Sequence, residues 1–208
     1  MGEYIPKWQR ELSIFRRVKP VLILEGNVLD LYHEPRTGGA VGLSAYLHGF
    51  LRECGYRVLC MDRDRVYGQG LVYNHIPHGT EDFTGNIPLQ ERIDVIKDAD
   101  FFIGVSSGLS WLAWGCRVPV VMISGFTNPT NEFYTPYRII NFHTCNSCWN
   151  DMRVDFDHFD FLWCPRHKGT DRQFECSRLI TSEQVINTIK KIPAFQKHME
   201  GRAAKENA

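Results

Sequence analysis

The sequence predicts an α/β fold, a parallel sheet flanked by helices, with a small four-cysteine metal finger attached. Three observations predict it. Apolar runs at 21–24 and 56–61 flank an amphipathic stretch of helical period, the pattern of a strand-helix-strand unit. A second pair of apolar runs, at 101–105 and 118–123, brackets a sharp turn and a short helix. Cys145-Asn146-Ser147-Cys148 is then followed by Cys164 and Cys176. A C-x-x-C pair places two thiolates on one turn, and two later cysteines can complete a tetrahedral shell.

In chain order, residues 1–20 read as a short amphipathic segment, with Trp8, Leu12 and Phe15 at helical spacing and Pro20 as its stop. Val21-Leu22-Ile23-Leu24 is a buried strand, closed by Glu25-Gly26-Asn27, and 33–42 is turn-rich and exposed. A helix over 44–54 shares Leu43, Leu47, Phe50, Leu51 and Cys54 on one face, and Gly55 stops it. Tyr56 to Met61 is the returning strand. From Asp62 to Asn86 the chain is polar, carries four glycines, and predicts a loop holding His75, Pro77, His78, Glu81 and Asp82.

Pro88 opens a helix to about Lys97, with Leu89, Ile93 and Ile96 inward. Phe101 to Val105 is a strand, Ser106-Ser107-Gly108 turns sharply, and a helix runs from Leu109 to Cys116. Val118 to Ile123 is the next strand, 125–131 a Gly/Pro/Asn loop, and 137–141 a last short strand before the cysteines. Thr181-Ser182-Glu183-Gln184 is a capping box for a helix that Pro193 ends. Residues 194–208 read as a frayed polar tail.

The totals are those of an ordinary soluble domain: 208 residues, 43% hydrophobic and 23% charged. Twenty-four basic residues balance 24 acidic ones, which argues against a nucleic-acid partner held by charge. The N-terminus has no signal-peptide layout and no apolar run reaches spanning length, so the expectation is a cytoplasmic chain without membrane insertion. In that compartment seven cysteines favour metal ligation over disulfides, with Cys54, Cys60 and Cys116 as core residues. Disulfides or scattered buried thiols are the alternatives to a metal. His143 and His167 could compete as ligands, but four sulfurs already fill a shell. Trp149, Phe156, Phe159, Phe161 and Trp163 supply a satellite core around the cysteines.

Ligands of an open parallel sheet bind beyond the carboxyl ends of its strands. There Ser106, Ser107, Gly108, Leu109 and Ser110 join a buried strand to a helix N-terminus, with hydroxyls, free amides and a glycine that permits close approach. A diphosphate cradle and a plain serine cap fit this spacing equally. Residues 125–129 offer a second wall or an ordinary turn. Gly104-Val105-Ser106-Ser107-Gly108 also matches the nucleophile elbow G-x-S-x-G, with His143, His158 or His167 as triad partner, in a chain short for that fold. Neither a Walker sequence nor G-x-G-x-x-G occurs.

The run from Ala99 through Ser106-Ser107-Gly108-Leu109-Ser110-Trp111 to Trp114, followed by Pro119 to Phe126, resembles bacterial autotransporter heptosyltransferases. So do Arg138-Ile139-Ile140-Asn141 leading into Cys145–Asp151, and Phe161 to Cys176. The resemblance runs from about 55 to 192. It implies one half of a GT-B enzyme, with a Rossmann-like domain that holds ADP-heptose for transfer to serines of autotransporter adhesins in the cytoplasm. It further implies an iron-binding finger whose ligands are Cys145, Cys148, Cys164 and Cys176. Ser106 to Ser110 would meet the donor diphosphate, and Asn86, Ile87 and Pro88 the adenine. The same turn is Asp-Thr-Gly-Leu in lipopolysaccharide heptosyltransferases, which favours a phosphate-binding turn over an elbow.

On this basis 1–50 is an atypical N-terminal segment, faintly like the start of a bacterial ATPase. Residues 51–141 form the donor domain, 142–180 the four-cysteine finger, and 181–208 a C-terminal helix and tail. The domain that supplies the catalytic base in such enzymes is missing here, so the expectation is a chain that binds ADP-sugar weakly and transfers it slowly or not at all. The catalytic residue is unassigned, Glu81 and Asp82 being the same-side candidates. The competing readings are a non-catalytic binding or assembly module, as a homo-oligomer held by its finger, and a metal-ribbon nucleic-acid binder. Zinc is the alternative to iron by general chemistry.

Overall fold

The computed structural model describes residues 21–25, 43–69, 72–76, 79–155 and 164–207. The expected segments 1–20 and 33–42, Pro77, His78, Phe156, His158, Phe159, Phe161 and Trp163 lie outside them. Six strands form one all-parallel sheet: β1 (Val21–Glu25), β2 (Arg57–Asp62), β5 (Glu81–Thr84), β6 (Ala99–Val105), β7 (Val120–Ile123) and β8 (Arg138–Ile139), in the order β5-β2-β1-β6-β7-β8. Counted along the chain this is 3-2-1-4-5-6, a doubly wound sheet. The strand expected at 21–24 is thus central, pairing Leu22 with Val58 on one side and Phe101 on the other.

Alternation along the buried strands divides the core into two layers. Phe101, Ile103, Val121 and Ile123 face helices α1 (Leu43–Glu53), α5 (Ser182–Ile189) and α6 (Pro193–Glu206), packing on Leu47, Leu51, Val185, Ile189 and Phe195. Phe102, Val120 and Met122 face the other way, onto α2 (Leu89–Lys97) and α3 (Gly108–Gly115), meeting Val95, Ile96 and Ala113. Gly55 stops α1 at a φ of 86°, a conformation that costs a residue with a Cβ. The capping box at Thr181 is complete, with Gln184 Oε1 accepting the Thr181 amide at 2.8 Å.

Four expectations are corrected. The stretch 62–86 is not a loop: it holds an antiparallel hairpin, β3 (Val66–Gln69) with β4 (Val72–His75), and the edge strand β5. Strand β5 escapes a hydrophobic-pattern search because an edge strand has one neighbour and water on its open side, so Glu81 and Asp82 are tolerated there. On α2 the inward residues are Arg92, Val95 and Ile96, while Leu89 is 62% exposed. Leu89 occupies the first turn, beyond the carboxyl end of β5, where the described residues leave it largely uncovered. Pro193 begins a helix rather than ending one, because its missing N–H costs nothing at the first helical position.

Helix α6 is a docked element, not a frayed tail. Phe195 is buried, stacked on Tyr56 at 5.8 Å and on Phe50 at 6.0 Å between ring centroids. His198 Nε2 lies 2.7 Å from the Cys54 carbonyl, and Arg202 donates to the Glu53 carbonyl at 2.8 Å. Phe195→Ala is expected to cost about 3–5 kcal/mol in denaturant unfolding. A loss within about 0.5 kcal/mol, the usual surface value, would mean the helix contributes nothing to the core.

Candidate functional site

The carboxyl edge of the sheet gathers the chemistry. Strand order reverses between β1 and β6, and β6 runs there directly into the Ser106-Ser107-Gly108 turn. Ser107 is the N-cap of α3, its Oγ accepting the Ser110 amide at a long 3.5 Å. The amides of Gly108 and Leu109, in the first turn, have no intrahelical acceptor and carry the positive end of the helix dipole. Gly108 is exposed, and a Cβ built on it would meet none of the described residues within 4 Å. Ser106 and Ser107 are half-buried, whereas Ser110 lies beneath the turn at 0% exposure, its hydroxyl unpartnered among the described residues.

An elbow needs its nucleophile on a strained turn. Among the described residues the non-glycines with positive φ are Arg117, Ser147 and Phe174, and Ser106 is not one of them. His167 is committed elsewhere, beside Cys145 and Glu175. The hydrolase reading therefore has neither the strained serine nor that histidine.

Asn86, Ile87 and Pro88 leave β5 at the same edge, three strands and roughly 14 Å across the sheet from the serine turn. Asn86 and Pro88 are exposed and Ile87 half-buried. Arg92 sets their position from below, one Nη2 donating to the Gly85 carbonyl at 2.7 Å and to the Asp62 carbonyl at 3.0 Å. Burial raises the Asp62 carboxyl above its ordinary value and lowers the Arg92 guanidinium. Sequence reading missed Arg92 because an arginine on an amphipathic helix ordinarily faces solvent.

On the other side of the turn, β7 is followed by Ser124, whose Oγ donates to buried Glu132 at 2.7 Å. Arg138 pairs with the same carboxylate at 3.1 Å. The following loop is bonded to the cysteine unit: Ser147 N–H donates to the Gly125 carbonyl and Trp149 N–H to the Phe126 carbonyl, both at 2.8 Å. Trp149, of the expected satellite core, also meets Phe126 edge-on at 6.2 Å.

Cys148, Cys164 and Cys176 are buried and Cys145 half-buried, none of them in a disulfide. Hydrogen bonding with Cys148 and with the backbone at Phe174, His167 and Arg166 draws the Cys164 thiol down to about 5, while the same interaction and burial push Cys148 up. Cys145 acts electrostatically on Cys148 and Cys176, and burial raises Cys176.

Within 4.8 Å of one another stand Cys145 Sγ, a ring nitrogen of His167 and a carboxylate oxygen of Glu175. Glu175 was not anticipated. Its carboxylate is held at about 2 by the Arg172 guanidinium, at 2.6 and 2.8 Å, and by the Cys145 amide at 2.9 Å. Its place one residue before Cys176 was the available signal.

Residues 49–153 match the family profile described as glycosyltransferase family 9 (heptosyltransferase). The autotransporter heptosyltransferase Aah of Escherichia coli is 61% identical over 146 residues, 70% of this chain and 37% of that protein. TibC of Escherichia coli O78:H11 is 63% identical over 142 residues, covering 68% and 35%. The inactive autotransporter heptosyltransferase BimC of Burkholderia thailandensis is 47% identical over 151 residues, 72% and 35%. The chain thus spans a little over a third of the length of these relatives. The crystal structure of the dodecameric, iron-containing heptosyltransferase TibC with ADP-D-β-D-heptose superimposes with a TM-score of 0.74 at 51% identity, over 88% of this chain and 46% of that one. The lipopolysaccharide heptosyltransferase II of E. coli, at 12% identity and a TM-score of 0.54 over 93% and 53%, shares the fold.

Proposed function

We propose, from the premise that this chain belongs to glycosyltransferase family 9, the heptosyltransferases, that it is the nucleotide-sugar-binding part of an autotransporter heptosyltransferase. The observation that carries the reading is the serine turn, which stands at the strand-order reversal of a 3-2-1-4-5-6 sheet with the Gly108 and Leu109 amides left without an intrahelical acceptor. Ser106, Ser107, Gly108 and Leu109 hold the diphosphate of ADP-heptose, with Ser110 supporting them from beneath, and Asn86, Ile87 and Pro88 receive the adenine. The helix amides stabilise the charge that develops on departing ADP. The acceptor is a serine hydroxyl of an autotransporter adhesin, the architecture is one half of a GT-B enzyme, and the working place is the cytoplasm. Kinship with a dodecameric TibC favours a homo-oligomer.

The finger at 142–180 holds one metal, iron on the likeness to iron-containing TibC, through Cys145, Cys148, Cys164 and Cys176. Four cysteines outside any disulfide, three of them buried, fit such an ion. Four thiolates leave no open position, so what the metal supplies when bound is a cross-link, not a reaction centre. Glu175 and His167 flank Cys145 and orient it.

The test is calorimetry with ADP-heptose, followed by labelled-heptose transfer to an adhesin fragment. Binding is expected, and no detectable binding would remove the donor reading. A second reading, a module that binds or assembles without transferring, is favoured by the inactive relative BimC at 47% identity. Binding without transfer selects it. Ser106→Ala serves as a further check: a phosphate turn that loses one hydroxyl bond should weaken ADP about fivefold, whereas a serine nucleophile would lose all turnover.

A further inference from the structure

The loop after β7 and the turn that carries Cys145 and Cys148 are paired as a short ladder. Besides the two main-chain bonds at 2.8 Å, the Asn128 amide donates to Asn150 Oδ1 at 2.7 Å and Asn128 Nδ2 to Ser147 Oγ at 3.3 Å. Ser147 has a φ of 64°, unusual for a residue with a Cβ, and in that conformation its amide reaches Gly125. Gly125 itself lies against Cys176: a Cβ there would stand 3.1 Å from both Cβ and Sγ of that cysteine. The loop so held leaves β7 at Ile123, which pairs with Val105 at the mouth of the serine turn.

We infer that Asn150 is a positioning residue for the nucleotide sugar: through Asn128 it fixes the wall beside the donor turn, so the metal finger sets donor affinity without touching the donor. This rests on the donor reading above. Two ends of the ladder are anchored in the finger, at Ser147 between two cysteines and at Gly125 against a third. The loop would otherwise be an exposed Gly-Phe-Thr-Asn-Pro turn with many conformations, and ordering it on binding would cost affinity. Asn150 supplies the side-chain link to the loop amide, and its Oδ1 is the replaceable atom.

The experiment measures ADP affinity by calorimetry, metal content by elemental analysis and the melting temperature, on the metal-loaded chain and two variants. Asn150→Ala is expected to weaken ADP about five- to tenfold, the loss that one well-formed hydrogen bond produces, with metal content and melting unchanged. Asn150→Asp keeps the accepting oxygen and should recover most of the affinity at an ionic strength that screens its added charge. Wild-type affinity in Asn150→Ala overturns the inference alone, as does loss of metal in step with affinity, because Asn150 would then serve the finger and not the donor. Absence of ADP binding by the unaltered chain overturns the donor reading itself, and the inference with it.

Discussion

Gly108→Val is expected to abolish measurable ADP binding while leaving the melting temperature within a few degrees of the unaltered chain. The argument is steric. Among the described residues a Cβ added at Gly108 meets nothing within 4 Å, so the fold has little reason to object. The cost to α3 is the modest propensity of valine, which is no worse than that of glycine in a helix. A diphosphate bound on the first-turn amides must approach this backbone closely, and the branched side chain occupies that approach. Calorimetry with ADP and a thermal melt on the same preparation decide the matter. Unchanged affinity would reduce the turn to what Ser107 already makes it, a helix cap.

Cys145→Ser is expected to release the metal and to loosen the finger together with the loop it holds. Structural thiolate sites contribute about 10–16 kcal/mol of binding free energy to small domains, so the loss of one ligand in four is a large fraction of local stability. The consequences should spread through the finger. Cys145 donates its amide to Glu175, and Glu175 holds Arg172, so the turn and helix α4 (Glu175–Arg178) are tied through this residue. Elemental analysis in reducing buffer should give about one ion per unaltered chain and well under one for the variant. Hydrogen exchange should rise at 145–150 and at the amide of Asn128. Substoichiometric metal in the unaltered chain would leave the thiols as ordinary buried side chains.

What the sequence determined by itself is local. The helix at 182–189 follows from a capping box whose two bonds close within four residues, and the stop after α1 from a glycine that accepts a positive φ. The buried strands at 57–62 and 99–105 follow from side chains apolar on both faces, as a covered parallel sheet requires. The serine turn follows from a strand running into a helix, and the cysteine pair from its spacing. What only the tertiary structure decided concerns partners far apart in the chain. Strand β5 exists because β2, some twenty residues earlier, presents an unpaired edge. Helix α6 exists because Tyr56 and Phe50 offer Phe195 a surface. Arg92 points inward because two carbonyls, of Asp62 and Gly85, converge on it. Glu175 and His167 stand beside Cys145, and Asn150 reaches Asn128, through folds of the chain that no local spacing encodes. Periodicity and caps are properties of neighbouring residues, whereas an edge strand, a buried guanidinium or a cross-loop bond is stable only once a distant segment has removed water from it.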